Sequence, residues 1–251
     1  GYQSGSTLYG DLIIQGRGDP TISGRFYNND LNYVFDTWID SLLDMGIKNI
    51  NGNIVGDDNL FDDTGLGVGW LWDYETDWYA AQSSALSYND NCIDITIKYN
   101  SKADSIIVTY NPALRNIVLL NNVSAAKKNE RTSIDVYRER GTNVITVSGT
   151  FRKDSDSVVT YSTVMNPTQF MIMAFKNRLE QRKIRVNGYS IDIDDYDREM
   201  NYNDMDLLFT WYSEPLSEII KVINKGSQNF FAEQLLKTIG LEKKGFGSAV
   251  N

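Results

Sequence analysis

The spacing of apolar residues predicts two amphipathic helices near the end of the chain, separated by a polar corner. The first follows the start signals Ser213 and Pro215. Its apolar residues recur at the three- and four-residue intervals of one helix face: Leu216, Ile219, Ile220 and Ile223. Gly226 interrupts the pattern, and it resumes on a second helix: Ala232, Leu235, Leu236 and Ile239. The corner is therefore Ser227-Gln228-Asn229.

The rest of the chain changes from a mixed pattern to a β-type pattern and back. A strand over 7–15, a helix that begins at Asn29 or Asp30 and ends at Gly46, and a strand over 50–55 come first. Short β-type runs separated by turns then fill 93–151. A strand over 158–164, a helix that starts at Asn166-Pro167 and a β segment over 184–193 follow.

This order predicts a multidomain α/β plus β protein. Residues 1–97 and 153–212 are predicted to form an α/β domain, and residues 98–152 a small β domain inserted into it. Residues 213–251 form a separate helical portion.

Composition excludes several classes of function. The net charge of −9 opposes binding to nucleic acid and to anionic membrane surfaces. The one locally basic stretch, Lys127 to Lys153 with Arg138 inside it, contains interleaved acids and is interpreted as a solvated face. No apolar run is long enough to span a bilayer. Histidine is absent, which excludes a Ser-His-Asp triad within the chain, and the single cysteine, Cys92, allows no internal disulfide. We predict neither a metal nor a cofactor, because the acids around Asp192 do not fit a calcium loop.

The corner has two interpretations from the residues alone. In one, Ser227 is simply the N-cap of the second helix and Asn229 a first-turn polar residue. In the other, Ser227 and Asn229 serve one site, which requires Ser227 to lie outside the helix because positions i and i+2 of a helix point to different sides.

Four stretches, in fixed order, carry a family resemblance. They are Gly10–Thr21 with its Gly-x-Gly-Asp-Pro-Thr loop, the tryptophan-rich Gly69–Asn91, Asn166-Pro-Thr with Asn187-Gly, and Lys225-Gly-Ser-Gln-Asn with the following Ala-Glu. Together they resemble the class C low-molecular-mass penicillin-binding proteins, which are D-alanyl-D-alanine carboxypeptidases and endopeptidases. The resemblance covers nearly the whole chain.

The resemblance implies a fold, a location and a set of partners. It implies an α/β accessory domain with a small inserted β domain, followed by a helical part of a serine β-lactamase/transpeptidase-like domain. It also implies export to the bacterial periplasm or cell envelope, peptidoglycan stem peptides as substrate, and β-lactam antibiotics as ligands of the intact protein. The family's nucleophile motif Ser-x-x-Lys is expected before Gly1 and its Lys-Thr-Gly motif after Asn251. We recognise neither motif in this sequence, and Lys237-Thr238-Ile239 is rejected because it lies on a helical stripe. The chain alone is therefore expected to be inactive.

The resemblance assigns roles to five residues. Ser227 would relay a proton between nucleophile, lysine and leaving amine, and Asn229 would hydrogen-bond the substrate's peptide group. Lys225 matches the lysine that precedes the motif and would contact substrate. In the aromatic segment, Tyr79 matches a residue that receives the third amino acid of the stem peptide. The family's acid five residues earlier is replaced by Tyr74, so that Asp73 is the neighbouring candidate.

A function from another class stays open at this point. Trp70, Trp72, Trp78 and Tyr79 lie close together among acids, and exposed aromatic rings can stack on sugars. The alternative is a non-catalytic envelope module that uses this segment to bind glycan or peptide.

Overall fold

A computed structural model describes residues 1–249, so Val250 and Asn251 of the predicted helical portion lie outside the described residues. The described chain forms two compact units. Unit 1 comprises Gly1–Gly67, Ser83–Asp90 and residues 166–249, and unit 2 comprises Val68–Gln82 and Asn91–Met165. The chain therefore leaves unit 1 twice and returns to it twice.

The helices and strands follow one another in chain order as follows: β1 (Tyr2–Ser4), β2 (Thr7–Tyr9), β3 (Leu12–Gln15), α1 (Tyr33–Asp44), β4 (Asn49–Asn51), β5 (Ile54–Asp57), β6 (Cys92–Asn100), β7 (Ser105–Asn111), β8 (Val118–Ala125), β9 (Ser133–Arg138), β10 (Val144–Phe151), β11 (Val158–Thr163), α2 (Pro167–Gln181), β12 (Arg185–Val186), β13 (Ser190–Asp192), α3 (Leu216–Gly226) and α4 (Asn229–Lys244).

Unit 1 is built on two small sheets and the helices that cover them. One sheet has the order β1-β2-β4-β12 and the other the parallel order β13-β5-β3. Helix α2 packs against β5, β12 and β13. The approach is close, because a Cβ on Gly56 would lie 2.8 Å from the methyl groups of Ile172 and Thr168. Buried Phe170, Met171 and Phe175 of α2 fill the core beside these strands.

Unit 2 is a β structure with two three-stranded sheets. In the first, β6 lies between β7 and β11, and all pairs are antiparallel. In the second, β10 pairs in parallel with β8 and antiparallel with β9. The alternation of β6 explains its orientation, because Ile93, Ile95 and Ile97 are fully buried while the residues between them are not.

The predicted mixture of α/β and β structure is confirmed. The two compact units divide the chain elsewhere than the predicted domains do. Strand β6 pairs with β7 and β11 and so falls in unit 2, although the pattern predicts residues 92–97 as part of the α/β domain. Helices α3 and α4 fall in unit 1 instead of forming a separate unit. No helix within residues 1–249 has both the length and the apolar character that crossing a bilayer requires.

Candidate functional site

The polar corner is a sharp reversal between α3 and α4. Helix α3 ends at Gly226, and Ser227 follows as its C-cap with φ 50° and ψ 47°. Gln228 is the N-cap of α4, and its side chain makes no capping hydrogen bond. The interpretation of Ser227 as N-cap of the second helix is therefore wrong. A left-handed residue at this position ends α3 and turns the chain away from the helix axis.

The corner exposes the two predicted catalytic side chains and buries the residue between them. Ser227 and Asn229 are exposed, whereas Gln228 is 2% exposed. Neither the amide nitrogen nor the amide oxygen of Gln228 has a hydrogen-bond partner among the described residues. A hydroxyl and a carboxamide thus stand one residue apart at the surface of unit 1. Because Ser227 lies outside α4, the geometric condition for a shared site is met.

The first two turns of α4, which follow the corner, are fixed by buried contacts. Phe230 and Phe231 are fully buried, and their rings meet edge to face with centroids 5.4 Å apart. Gln234 donates to the carbonyl of Ser84 at 2.9 Å and to the Ser87 hydroxyl at 3.0 Å. The start of α4 is therefore fixed by packing and by a buried side-chain amide.

One helical turn further, Lys237 makes a buried ion pair. Its Nζ donates to Asp62 Oδ1 at 2.6 Å and to the carbonyl of Thr64 at 2.7 Å. Burial alone would raise the pKa of Asp62, but the hydrogen bonds and the charge of Lys237 outweigh it and hold that pKa below its usual value. The ammonium group of Lys237 is thus engaged by Asp62 and Thr64. This agrees with the rejection of Lys237-Thr238-Ile239 as a third catalytic motif.

A surface groove opens beside the corner. It has a volume of about 500 Å³, and we call it the α3 groove. Its lining residues come from α3 and from the short 3-10 helix Gly24–Phe26: Arg25, Phe26, Glu218, Lys221, Val222, Lys225 and Gly226. Lys225, a predicted substrate-binding residue, therefore lines a groove that reaches the residue before Ser227.

The aromatic segment lies in unit 2 and presents several rings to solvent. Trp72 is 64% exposed, and Tyr74 and Trp78 are exposed as well. Asp73 is also exposed. The Tyr79 hydroxyl donates to Asp77 at 2.7 Å, and this hydrogen bond raises the pKa of Tyr79 to about 12. The two predicted substrate-binding residues of this segment, Asp73 and Tyr79, thus belong to a different unit from Lys225, Ser227 and Asn229.

Comparison with known proteins shows what this arrangement resembles. Residues 1–250 match the family model described as D-Ala-D-Ala carboxypeptidase 3 (S13). The chain belongs to this family. The prediction of a low-molecular-mass penicillin-binding protein is confirmed.

Two curated proteins are similar in sequence to this chain. It is 28% identical over 244 residues to the D-alanyl-D-alanine carboxypeptidase of Actinomadura sp. (strain R39), covering 95% of this chain and 43% of that protein. It is 25% identical over 235 residues to the D-alanyl-D-alanine carboxypeptidase DacB of Haemophilus influenzae, covering 92% of this chain and 46% of that protein. The chain therefore spans about half the length of the curated relatives it matches.

The fold agrees with that of a solved structure. Penicillin binding protein 4 (dacB) from Haemophilus influenzae superposes with a TM-score of 0.76 at 21% identity, covering 99% of this chain and 52% of that chain. A second structure of that protein, complexed with a novel β-lactam, gives a TM-score of 0.67 at 20% identity, covering 98% of this chain and 50% of that chain.

Arg138 corrects the interpretation of the basic stretch as a solvated face. Arg138 is 2% exposed, and its guanidinium donates to the carbonyls of Glu75 at 2.9 Å and Thr142 at 3.0 Å. Burial lowers the pKa of Arg138, while the nearby Glu75 carboxylate opposes that change. An arginine inside the fold thus ties the aromatic segment to β9. The sequence offers no signal for this, because Arg138 stands among six other basic residues that look alike.

A Ser-x-x-Lys tetrapeptide does occur in this chain, contrary to the expectation from its sequence. Ser124-Ala-Ala-Lys127 has the required spacing. Ser124 lies on the exposed strand β8, and its hydroxyl donates to the carbonyl of Gly149 at 3.3 Å. Strand β8 ends at Ala125, so Ser124 and Lys127 do not stand one turn apart on a helix, the arrangement that places residues i and i+3 on one face.

An acidic region forms where β5 and β13 end. Asp192 is 4% exposed and accepts a hydrogen bond from Asn166 at 2.7 Å. Burial raises the pKa of Asp192 to about 6, the Asn166 hydrogen bond opposes this, and the Asp58 charge adds to it. Within residues 1–249 no group of three or more histidines, cysteines or acids is arranged to hold a metal ion.

Proposed function

We propose that this chain is part of a serine-type D-Ala-D-Ala carboxypeptidase or endopeptidase that acts on peptidoglycan stem peptides in the bacterial cell envelope. The observation that carries this proposal is the corner itself. Ser227 and Asn229 are both exposed, one residue apart, at the end of a helix that is anchored from behind. A catalytic pair needs side chains that face solvent on a rigid support.

The roles of the two side chains follow from their chemistry. The Ser227 hydroxyl can accept a proton and donate one, so it can pass a proton between the nucleophile's base and the leaving amine. The Asn229 carboxamide offers a donor and an acceptor, which match the two sides of a substrate peptide group. The nucleophilic serine, its lysine and the third motif would come from the remainder of the parent protein, and this chain by itself forms no acyl-enzyme.

The exposed apolar face of α3 supports the assignment of α3 and α4 to a larger catalytic domain. Leu216 and Ile220 are 53% and 39% exposed although they lie on the apolar side of the helix. Burying such residues is favourable, so this face is suited to pack against a further part of a catalytic domain.

The test uses the full-length protein and a fluorescent penicillin. Replacing Ser227 by Ala should slow acylation by at least about a hundredfold, the usual effect of losing a general acid or base. Asn229→Ala should mainly weaken substrate binding and raise KM. The matched controls Ser217→Ala and Asn224→Ala change exposed residues of α3, and they should leave the acylation rate and KM unchanged. Normal acylation and turnover in Ser227→Ala and Asn229→Ala would overturn these roles.

A second function is favoured by one specific observation, the exposure of the aromatic segment. Trp72 is 64% exposed, and the guanidinium of Arg140 lies 5.5 Å from its ring centroid. A flat ring beside a cation can hold a sugar or a peptide carboxylate. Binding of muropeptides by this chain alone, abolished by Trp72→Ala but retained in Tyr161→Ala, would favour a binding module. Tyr161 is another exposed aromatic residue of unit 2, and it lies outside the segment.

A further inference from the structure

The Gly-x-Gly-Asp-Pro-Thr loop that follows β3 packs directly against α4, the second helix of the corner. Gly18 has a left-handed backbone with φ 83°, and a Cβ built there would lie 2.7 Å from the Thr238 hydroxyl oxygen of α4. A larger residue at this position would strain the loop and collide with the helix. The Arg17 guanidinium also pairs with Glu242 of α4 at 3.0 Å. The close approach of loop and helix therefore depends on glycine.

The same loop holds the start of α3, the first helix of the corner. Thr21 is fully buried, and its hydroxyl oxygen accepts a hydrogen bond from the backbone N–H of Glu214 at 3.2 Å. Glu214 directly precedes Pro215, the N-cap residue of α3, which makes no side-chain capping hydrogen bond. Thr21 thus fixes the point from which α3 begins.

Asp19 sets the direction of the Thr21 hydroxyl. The Oδ1 atom of Asp19 accepts from the Thr21 hydroxyl at 2.6 Å and from the Thr21 backbone N–H at 2.7 Å. A hydroxyl that donates its one hydrogen to Asp19 keeps its lone pairs for the Glu214 N–H. Burial raises the pKa of Asp19, while the hydrogen bonds from Thr21 oppose that change. Asp19, Thr21 and Glu214 therefore form one buried chain of hydrogen bonds.

Helix α3 depends on this anchor more than a well-buried helix would. Among its eleven residues, all of them within the described chain, Ile219 is the one that is buried. A helix with few buried contacts shifts at a small cost in free energy. Ser227 joins the end of α3 to α4, so the angle between the two helices determines where the Ser227 hydroxyl lies.

We propose that Asp19 and Thr21 are positioning residues for the carboxypeptidase reaction, which hold α3 through the Glu214 N–H at the angle that places the Ser227 hydroxyl for proton transfer. Because Thr21 is fully buried, it contacts no substrate and acts through Ser227. Misplacing a catalytic group by about 1 Å can slow a reaction about a hundredfold, so an anchor at the far end of a helix can affect the rate. The inference rests on the proposed role of Ser227.

The test follows acylation of the full-length protein by a fluorescent penicillin and separates the noncovalent affinity from the acylation rate. Thr21→Val keeps the shape of the side chain but removes its hydroxyl, so it should slow acylation about tenfold or more while the noncovalent affinity stays unchanged. Thr21→Ser restores a hydroxyl and should recover most of the rate. Ser162→Ala, the matched control, removes an equally buried hydroxyl from β11 and should leave the rate unchanged. Urea unfolding verifies that each variant is folded, and Thr21→Ala replaces Thr21→Val if the latter is not.

A double variant distinguishes positioning from a general loss of structure. Thr21→Val combined with Ser227→Ala should acylate no more slowly than Ser227→Ala alone, because Thr21 then has no catalytic hydroxyl to position. Additive losses, or no recovery in Thr21→Ser, would overturn the proposal. Slow acylation in Ser227→Ala with a normal rate in Thr21→Val would overturn the positioning role alone. Normal acylation in Ser227→Ala would overturn the proposed role of Ser227 itself.

Discussion

Helices α2 and α3 both belong to unit 1, but they are buried to very different extents. Eight of the fifteen residues of α2 are buried, whereas Ile219 is the one buried residue among the eleven of α3. Yet α3 separates its apolar and polar residues onto opposite faces more sharply than α2 does. Strong amphipathicity therefore identifies a helix without showing that its apolar face is covered by the same stretch of chain.

The difference has a physical origin in what each helix packs against. Helix α2 lies against three strands and against α1, and Phe175 contacts Phe35 and Trp38 with ring centroids 5.2 and 5.6 Å away. Helix α3 packs against α4, which leaves Leu216 and Ile220 exposed. We infer that the core around α2 is complete within this chain, and that a further part of the parent protein covers the apolar face of α3.

The largest expected effect contrasts a core residue of α2 with an apolar residue of α3. Phe175→Ala should lower the free energy of unfolding by about 3 to 5 kcal/mol, because it leaves a cavity in a packed aromatic cluster. Ile220→Ala should lower it by less than about 1 kcal/mol in this chain, because the side chain is already 39% exposed. Urea denaturation measures both.

The same Ile220→Ala change sharpens the comparison in the full-length protein. There it should lower stability by about 2 kcal/mol or more, since burial of the apolar face makes its loss more severe. If Ile220→Ala lowers the free energy of unfolding by the same small amount in this chain and in the full-length protein, the rest of the domain does not cover α3.

The next effect contrasts the ion pairs of α4 and α3. Lys237→Met should lower the free energy of unfolding by about 3 kcal/mol, because Asp62 loses its partner at a largely buried position. Lys221→Met, which removes an exposed pair with Glu218, should change it by less than about 0.5 kcal/mol. Similar losses in the two variants would show that α4 is no better anchored than α3.

Asp192 gives a pH-dependent effect at the edge of the sheet that α2 covers. Its folded pKa of about 6 lies above its ordinary value of 3.8, so the folded state holds the extra proton and stability falls as pH rises between these values. Asp192→Asn removes this penalty and should exceed the wild type in stability by about 1 to 2 kcal/mol at neutral pH.

The measurement is a urea denaturation series from about pH 4.5 to about pH 7.5, comparing Asp192→Asn with the wild type. The stability advantage of Asp192→Asn should grow as the pH rises. A constant difference for Asp192→Asn would contradict the raised pKa.

The smallest effect concerns the corner. Ser227 has a left-handed backbone that glycine adopts without strain, so Ser227→Gly should raise the free energy of unfolding by about 0.5 kcal/mol. Ser217→Gly, inside α3, should lower it by a similar amount because glycine is unfavourable within a helix. If Ser227→Gly stabilises the chain but slows acylation of the full-length protein, the serine is retained for its hydroxyl. Destabilisation by Ser227→Gly would indicate a structural role.

Much of the secondary structure was accessible from local pattern. The apolar stripes over 216–223 and 232–239 became α3 and α4, and the β-type runs over 93–151 became β6 to β10. The predicted helix after Asp30 begins at Tyr33 and ends at Asp44, two residues before Gly46. The residues of the candidate site were predicted, but the left-handed backbone of Ser227 and the burial of Gln228 were not. Both depend on the position of α4, which contacts Ser84, Ser87 and Asp62 from distant parts of the chain.

The sequence by itself determined the family, the sites of the helices and strands, and the residues worth testing, since these depend on short motifs and on periodicity within one segment. The tertiary structure decided which similar residues differ in role. Arg138 is buried while its basic neighbours Arg131 and Arg140 are exposed, and α2 is covered while the more amphipathic α3 is not. Burial depends on which other segments pack against a residue, and no local pattern contains that information.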